Sequence, residues 1–228
     1  MAKSTGSPLA AGATLEVTSS SGGIVVTGEA RKDVLVENGS VTSEGGRLRV
    51  ERSSGGISVR CPAGTDVIAG TSSGSMTLRG ELGIARVATS SGNIEVEQVA
   101  TLDARTGSGD IKVQTCAGDC RGRSGSGDLR VGSAGSVDLS TGSGDVEANA
   151  VGGAVIRTGS GDVTVGIAQP GDVKIDDHSG SITVTVPRGA RPAARLRSNG
   201  DVRCEPELGD DFNLEVNAGS GNITVTEK

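Results

Sequence analysis

The sequence predicts an all-β fold: a single-stranded parallel β-solenoid, or β-helix, of about twelve coils, each of ~17–19 residues, around a narrow aliphatic core. Three observations carry this. First, a short phrase recurs: Thr106-Gly107-Ser108-Gly109-Asp110 returns at Ser124, Thr141 and Thr158. Its second glycine marks a rhythm at Gly109, Gly127, Gly144 and Gly161, with steps of 18, 17 and 17 residues. The mark extends back through Gly92, Gly74, Gly55, Gly39 and Gly22, and forward through Gly180, Gly200 and Gly221. Second, apolar pairs stand two and four residues after the marks, as in Ile24/Val26, Ile111/Val113 and Ile223/Val225. Third, a matching pair stands seven and five residues before them, as in Leu15/Val17, Val137/Leu139 and Leu214/Val216. Period-two alternation of branched aliphatics between glycine-rich corners is a strand signal.

The composition suits a thin core. Hydrophobic residues make up 34% of the chain, but 38 glycines account for the low figure, and the aliphatics are regularly placed, which argues against disorder. Phe212 is the one aromatic residue; a wide globular core usually needs more. The net charge of −6, from 28 acidic and 22 basic residues, disfavours a nucleic-acid partner, which calls for a basic stripe and stacking aromatics. No stretch approaches the ~18 apolar residues of a membrane span. Leu9-Ala10-Ala11 is too short for the apolar part of an export leader. The expectation is a soluble, cytoplasmic chain, or one in the cell envelope if a leader has been removed. The marks never pause long enough for a linker, so residues 15–226 are expected to be one solenoid domain behind an N-terminal lead-in or cap at 1–14.

Taken in order, each window offers two strands of about four or five residues, and a third bend near Val99, Cys116, Ala134 and Val151. Coiling is preferred to hairpins because a constant step returns like residues to like places. Strands so short make poor free-standing hairpins. Successive coils are expected to lie directly on one another at ~4.8 Å. One coil alone buries too few aliphatics to offset the backbone entropy of some eighteen residues, at about 1–2 kcal/mol each. The glycines are expected at the corners, supplying positive φ and close backbone approach. Thr71, Thr89, Thr106, Ser124, Thr141 and Thr158 stand three before the mark, in phase with the core. Their hydroxyls are expected to bond at the corner or along the stack. Proline turns at Cys61-Pro62-Ala63-Gly64-Thr65 and Val186-Pro187-Arg188-Gly189-Ala190 loosen the rhythm, as does the Glu205–Asp211 run.

These proline lead-ins and the recurring Ser-Gly-(Asp/Asn/Gly/Ser)-(Ile/Val/Leu/Met)-x-Val resemble a bacterial "putative adhesin" β-strand-repeat family of unknown function, over about residues 14 to 226. The resemblance implies a β-solenoid, often associated with the envelope, for which no catalytic residues are established.

Candidate chemistry is sparse. Asp110, Asp128, Asp145 and Asp162 follow four marks directly, and a carboxylate column is the candidate for calcium. The calcium-binding β-roll pattern needs Gly-Gly-x-Gly-x-Asp every nine residues, so the carboxylates are read first as turn caps, with Arg105, Arg123 and Arg157 offsetting their repulsion. Cys116 and Cys120 align with apolar positions and read as buried thiols rather than a disulfide or half a zinc site. His178, the single histidine, reads as a turn residue; a catalytic role for it is the alternative. No catalytic residue and no cofactor is assigned. The function expected is a non-enzymatic structural or interaction scaffold with an unidentified protein partner and end-to-end self-association through exposed coil edges. The alternatives are a calcium-dependent β-roll module and an enzyme on a β-helix scaffold.

Overall fold

The computed structural model describes residues 5–8 and 14–228, and it is all-β, with no helix among them. It divides into two units, residues 1–117 and 118–228. The first holds β1 (Thr5–Pro8), β2 (Thr14–Ser19), β3 (Ile24–Glu29), β4 (Asp33–Glu37), β5 (Ser40–Glu44), β6 (Arg47–Arg52), β7 (Ile57–Pro62), β8 (Asp66–Thr71), β9 (Met76–Thr89) and β10 (Ile94–Thr106). β11 (Ile111–Ser124) spans the boundary. The second holds β12 (Leu129–Ser143), β13 (Val146–Ser160), β14 (Val163–Ile167), β15 (Val173–Ser179), β16 (Ile182–Val186), β17 (Ala193–Arg197), β18 (Val202–Cys204), β19 (Asn213–Ser220) and β20 (Ile223–Glu227). The expected lead-in at 1–14 lies mostly outside the described residues.

Like positions stack on like in each unit. In the second, Leu129, Val146, Val163, Ile182 and Ile223 form one parallel column. In the first, Ile57, Ile24, Met76 and Ile94 form another. Each of these side chains is at most 1% exposed. The strands form because period-two alternation puts every second residue into this column and its neighbours into water, as in the alternating burial of Val163–Ile167 and Leu129–Val131. The third bend is also built as expected: Leu82 pairs with Val99, and Val151 with both Ala134 and Ile167, all inward.

The order of coils departs from the order of the chain at two places. The coil made by β2 and β3 does not lie outermost. It sits between the β6/β7 coil and the coil of β8 and early β9. In the second unit the coil made by β19 and β20 sits between β15/β16 and β17/β18. In both cases a coil from one end of the unit's sequence, β2/β3 or β19/β20, is paired on two sides, and the coil of β6/β7 or β17/β18 lies outside it.

The Gly39 window makes no coil. β4 pairs antiparallel with β7, β5 pairs antiparallel with β6, and β1 pairs antiparallel with β4. Val34 and Val36 of β4 are buried at this end of the core. The window supplies a cover for the first unit's outermost coil, so its antiparallel turn consumes the residues a coil would have used.

Deleting residues 213–228 should strip an inner layer from the second unit. Hydrogen exchange should then show unprotected amides throughout Ala193–Arg197 and Val202–Cys204, which pair only with the deleted strands. Retained protection there would mean that β17 and β18 stack directly on β15 and β16.

Candidate functional site

The corners carry three columns of polar or small residues. In the marked-glycine column, backbone meets backbone. A Cβ on Gly92 would lie 1.9 Å from the carbonyl oxygen of Gly74, and one on Gly74 would lie 1.9 Å from that of Gly22. The contact repeats from Gly144 to Gly127, from Gly161 to Gly144, from Gly180 to Gly161 and from Gly221 to Gly180. The requirement is therefore steric. Gly74, Gly92, Gly109 and Gly144 do not have the positive φ expected of corner glycines, which among the marks is found at Gly22, Gly55, Gly161, Gly180 and Gly221. The two proline turns do need it, at Gly64 (φ 75°) and Gly189 (φ 78°), where Thr65 and Ala190 donate back to the carbonyls of Pro62 and Pro187.

The second column is the buried hydroxyls. Thr89 donates to the Gly74 carbonyl at 3.1 Å and accepts from the Gly92 amide at 3.2 Å. Thr106 donates to Gly92 at 3.0 Å, and Thr141 donates to Gly127 at 3.0 Å. Thr89 and Thr106 thus close their own corners, accepting from the Gly92 and Gly109 amides, and all three hydroxyls tie their corner to the neighbouring coil.

The third column holds the calcium candidates. Asp128, Asp145 and Asp162 come together on the surface of the second unit. The Asp145 amide donates to an Asp128 carboxylate oxygen at 2.9 Å, Asp162 to Asp145 at 2.9 Å, and Ser181 to Asp162 at 2.8 Å. Asp110, in the first unit, donates its amide to Asn93 Oδ1 at 3.0 Å. The capping expected within a turn is made instead to the next coil. Of the arginines five residues earlier, Arg105 pairs with Asp103 and Arg157 with Asp138. Residues two apart on one strand share a face, whereas five residues carry the chain round a corner. Asp128 has Arg130 at 2.8 Å.

Of the remaining candidates, Cys116 and Cys120 are buried, and Cys116 Sγ–H reaches the Ala100 carbonyl at 3.8 Å. Burial pushes the Cys61 thiol up to about 11, so it stays a thiol at neutral pH. His178 is the last residue but one of β15 and is exposed. Asp177 carries a signal that the sequence reading passed over. It occupies the Thr column, opposite Thr158, and is 6% exposed. One carboxylate oxygen accepts from the Ser179 amide, while Oδ2 has no hydrogen-bond partner among the described residues. Burial, with the Asp162 charge adding to it, raises its pKa above the usual carboxylate range.

Outside the columns, the flat faces present rows of side chains in fixed register. In the first unit a depression of about 420 Å³ is floored by Gly70 and Ala88 and edged by Ile68, Arg86, Asp103 and Arg105. In the second, one of about 580 Å³ lies among Lys174, Glu215, Arg195, Asn213 and Leu208. Both open on the surface. No group of three or more His, Cys, Asp or Glu side chains arranged to hold a metal occurs among the described residues. Nor do they include a helix long and apolar enough to cross a membrane.

The profile of the family described as Toastrack DUF4097 matches residues 55–207. No curated protein matches the chain. Two crystal structures are similar in fold. A "putative adhesin" from Parabacteroides distasonis aligns at TM-score 0.52 and 11% identity, covering 100% of this chain and 97% of its own. A "putative adhesin" from Bacteroides fragilis aligns at TM-score 0.50 and 13% identity, covering 99% and 97%.

Three substitutions test the columns. Gly92→Ala should destabilise by about 3 kcal/mol, because the new methyl group meets a fixed carbonyl. Thr89→Val should cost about 2 kcal/mol by stranding the Gly74 carbonyl and the Gly92 amide. Both are read from urea midpoints. Asp177→Thr should stabilise the protein at neutral pH. A carboxyl whose folded pKa is raised favours the native state below its unfolded pKa, and that contribution is lost as pH rises through the folded pKa. The wild type should therefore weaken as pH climbs above the ordinary carboxylate range, and the threonine variant should lack that decline.

Proposed function

Because the chain belongs to the Toastrack DUF4097 family, we propose that it is a non-enzymatic interaction scaffold, adhesin-like in presenting a polar surface to a protein partner. The observation that carries this is the set of outward rows. On the flat faces, adjacent coils place opposite charges side by side: Arg49 beside Glu16 at 3.9 Å, Arg130 beside Glu147 at 3.9 Å, Lys174 beside Glu215 at 3.4 Å. Such pairs contribute little to stability at an exposed surface. Their value lies in a repeating charge pattern with fixed spacing, which favours the right partner and register more than raw affinity. The inward side of the coils is mostly aliphatic, and its buried hydroxyls are spent on corner hydrogen bonds, which leaves the outward rows as the varied surface. The names of the Parabacteroides distasonis and Bacteroides fragilis structures agree with this reading.

A calcium-dependent module is the second reading, favoured by the carboxylates stacked at Asp128, Asp145 and Asp162. Against it, one oxygen of each is already engaged by a neighbouring amide. Cytoplasmic residence, or the envelope if a leader has been removed, are the two placements the scaffold reading allows, and fractionation of the native host separates them.

The scaffold reading is tested by capture from native-host extract on the immobilised full chain, beside an Arg86→Glu/Arg105→Glu variant. A protein retained saturably by the wild type and lost with a surface-row variant is the expected result. Calorimetry with millimolar calcium should give an unchanged melting temperature; a stoichiometric, saturable rise would replace this reading with the calcium module.

A further inference from the structure

The outermost coil of the second unit is unfinished. β17 pairs with β19 and β18 with β20, and neither has a second neighbour among the described residues. Its core positions are laid open. Val202 stands over Ile223 and Cys204 over Val225, in columns whose other members are fully buried, yet Val202 is 46% exposed and Cys204 is exposed as well. Leu196, over the buried Val216, is half-buried. The first unit treats its own outermost coil differently: β4 and β5 cover the edges of β7 and β6, and Ile57, Val59, Leu48 and Val50 are at most 2% exposed. A repeat stack left open at its core and both edges is a template for another strand.

The rows say what that strand should carry. Across the second unit's face one row runs Lys174, Glu215, Arg195, and the next runs Asp176, Asn217, Arg197. Charge alternates along the first, and each row ends on an arginine at the open edge. Arg195 and Arg197 have no ion pair among the described residues, and Arg188 and Arg191 stand in the turn just before β17. A second copy pairing through this same edge would set these arginines against their own counterparts, and like charges opposite one another are destabilising. The backbone is oriented for the addition too. The Ala193 amide donates to the Phe212 carbonyl at 2.8 Å, so in a parallel ladder the amides and carbonyls of Ala194 and Leu196 face the open side.

We propose that the open edge of β17 is a strand-addition site for an extended acidic segment of a partner protein. Its apolar residues would lie over Ala194 and Leu196, and its alternate carboxylates beside Arg195 and Arg197, one strand spacing of ~4.8 Å away. This rests on the scaffold reading and gives it a place and a partner chemistry.

The test uses the full chain and a short fluorescein-labelled peptide of alternating Val and Glu, followed by anisotropy, with an alternating Val-Lys peptide beside it. Saturable binding of the Val-Glu peptide alone is expected. Arg195→Glu/Arg197→Glu should weaken it about tenfold or more, equivalent to about 1.4 kcal/mol. Ala194→Pro removes an amide that no native ladder uses, and should weaken binding similarly while circular dichroism stays that of the wild type; should it misfold, the charge-reversed chain decides alone. Equal binding of the two peptides, or of the Val-Glu peptide to wild-type and charge-reversed chains, overturns the proposal. A dimer in sedimentation that disappears in Ala194→Pro also overturns it, by giving the edge to a second copy. A host protein captured equally by wild-type and charge-reversed chains sinks the edge site and leaves the scaffold reading standing.

Discussion

The close approach of one coil's corner to the next is the constraint on which the rest depends. At the marked glycines a carbonyl oxygen occupies the place where a side chain would begin. Only because that approach is possible can the strands on either side hold ladder distance, the buried hydroxyls reach the neighbouring carbonyls, and the aspartates cap the next coil's amides. These are three consequences of one contact. The hydroxyl column satisfies polar groups that the glycine contact buries, and an unsatisfied amide or carbonyl there would cost about 1–3 kcal/mol. The aspartate column does the same at the surface, with water as the competitor.

Much of this was legible in the sequence, because a repeat reports phase directly. The inward pairs, the third bend at Val99 and Val151, and the core-facing threonines all follow from where a residue falls relative to its mark. Phase does not report order. If every coil presents the same columns, any coil can lie on any other, and the sequence makes no distinction between β2 lying on β6 and β2 lying on β8. The structure has both. The inner places of the β2/β3 and β19/β20 coils were therefore invisible to periodicity. So was the Gly39 window, whose mark is in step although its strands run antiparallel. The role of the aspartates was half legible: capping was readable, but the acceptor's partner in the neighbouring coil was not, since a cross-coil bond joins residues some seventeen positions apart.

Asp177 shows how a repeat can expose its own exception. Three residues before Gly180, the rule calls for threonine or serine, and the chain has a carboxyl instead. Its Oδ2 has no hydrogen-bond partner among the described residues, and burial holds its proton more firmly than water would. A protonated carboxyl has the donor that the threonine hydroxyl supplies elsewhere; an ionised one offers only acceptors to a corner already rich in carbonyls. The column's logic thus explains both why the position is costly and in which charge state it is least so.

The ends complete the physical picture, because a stack of equivalent layers has no internal reason to stop. Each added coil would bury another set of aliphatics and pair another set of amides, so termination has to be built by something unlike the repeat. In the first unit it is built: β4 and β5 turn antiparallel, and Val34 and Val36 fill the end of the core. In the second unit the outermost coil carries arginines on its face and shortened strands, two devices that discourage indiscriminate pairing of an edge. Neither device covers Val202 or pairs the outer edge of β17. An edge that repels its own kind, yet leaves its apolar column uncovered, discourages aggregation while favouring a strand of opposite charge. That combination follows from the same stacking rule that made the fold readable, applied to the one layer where the next tread is absent.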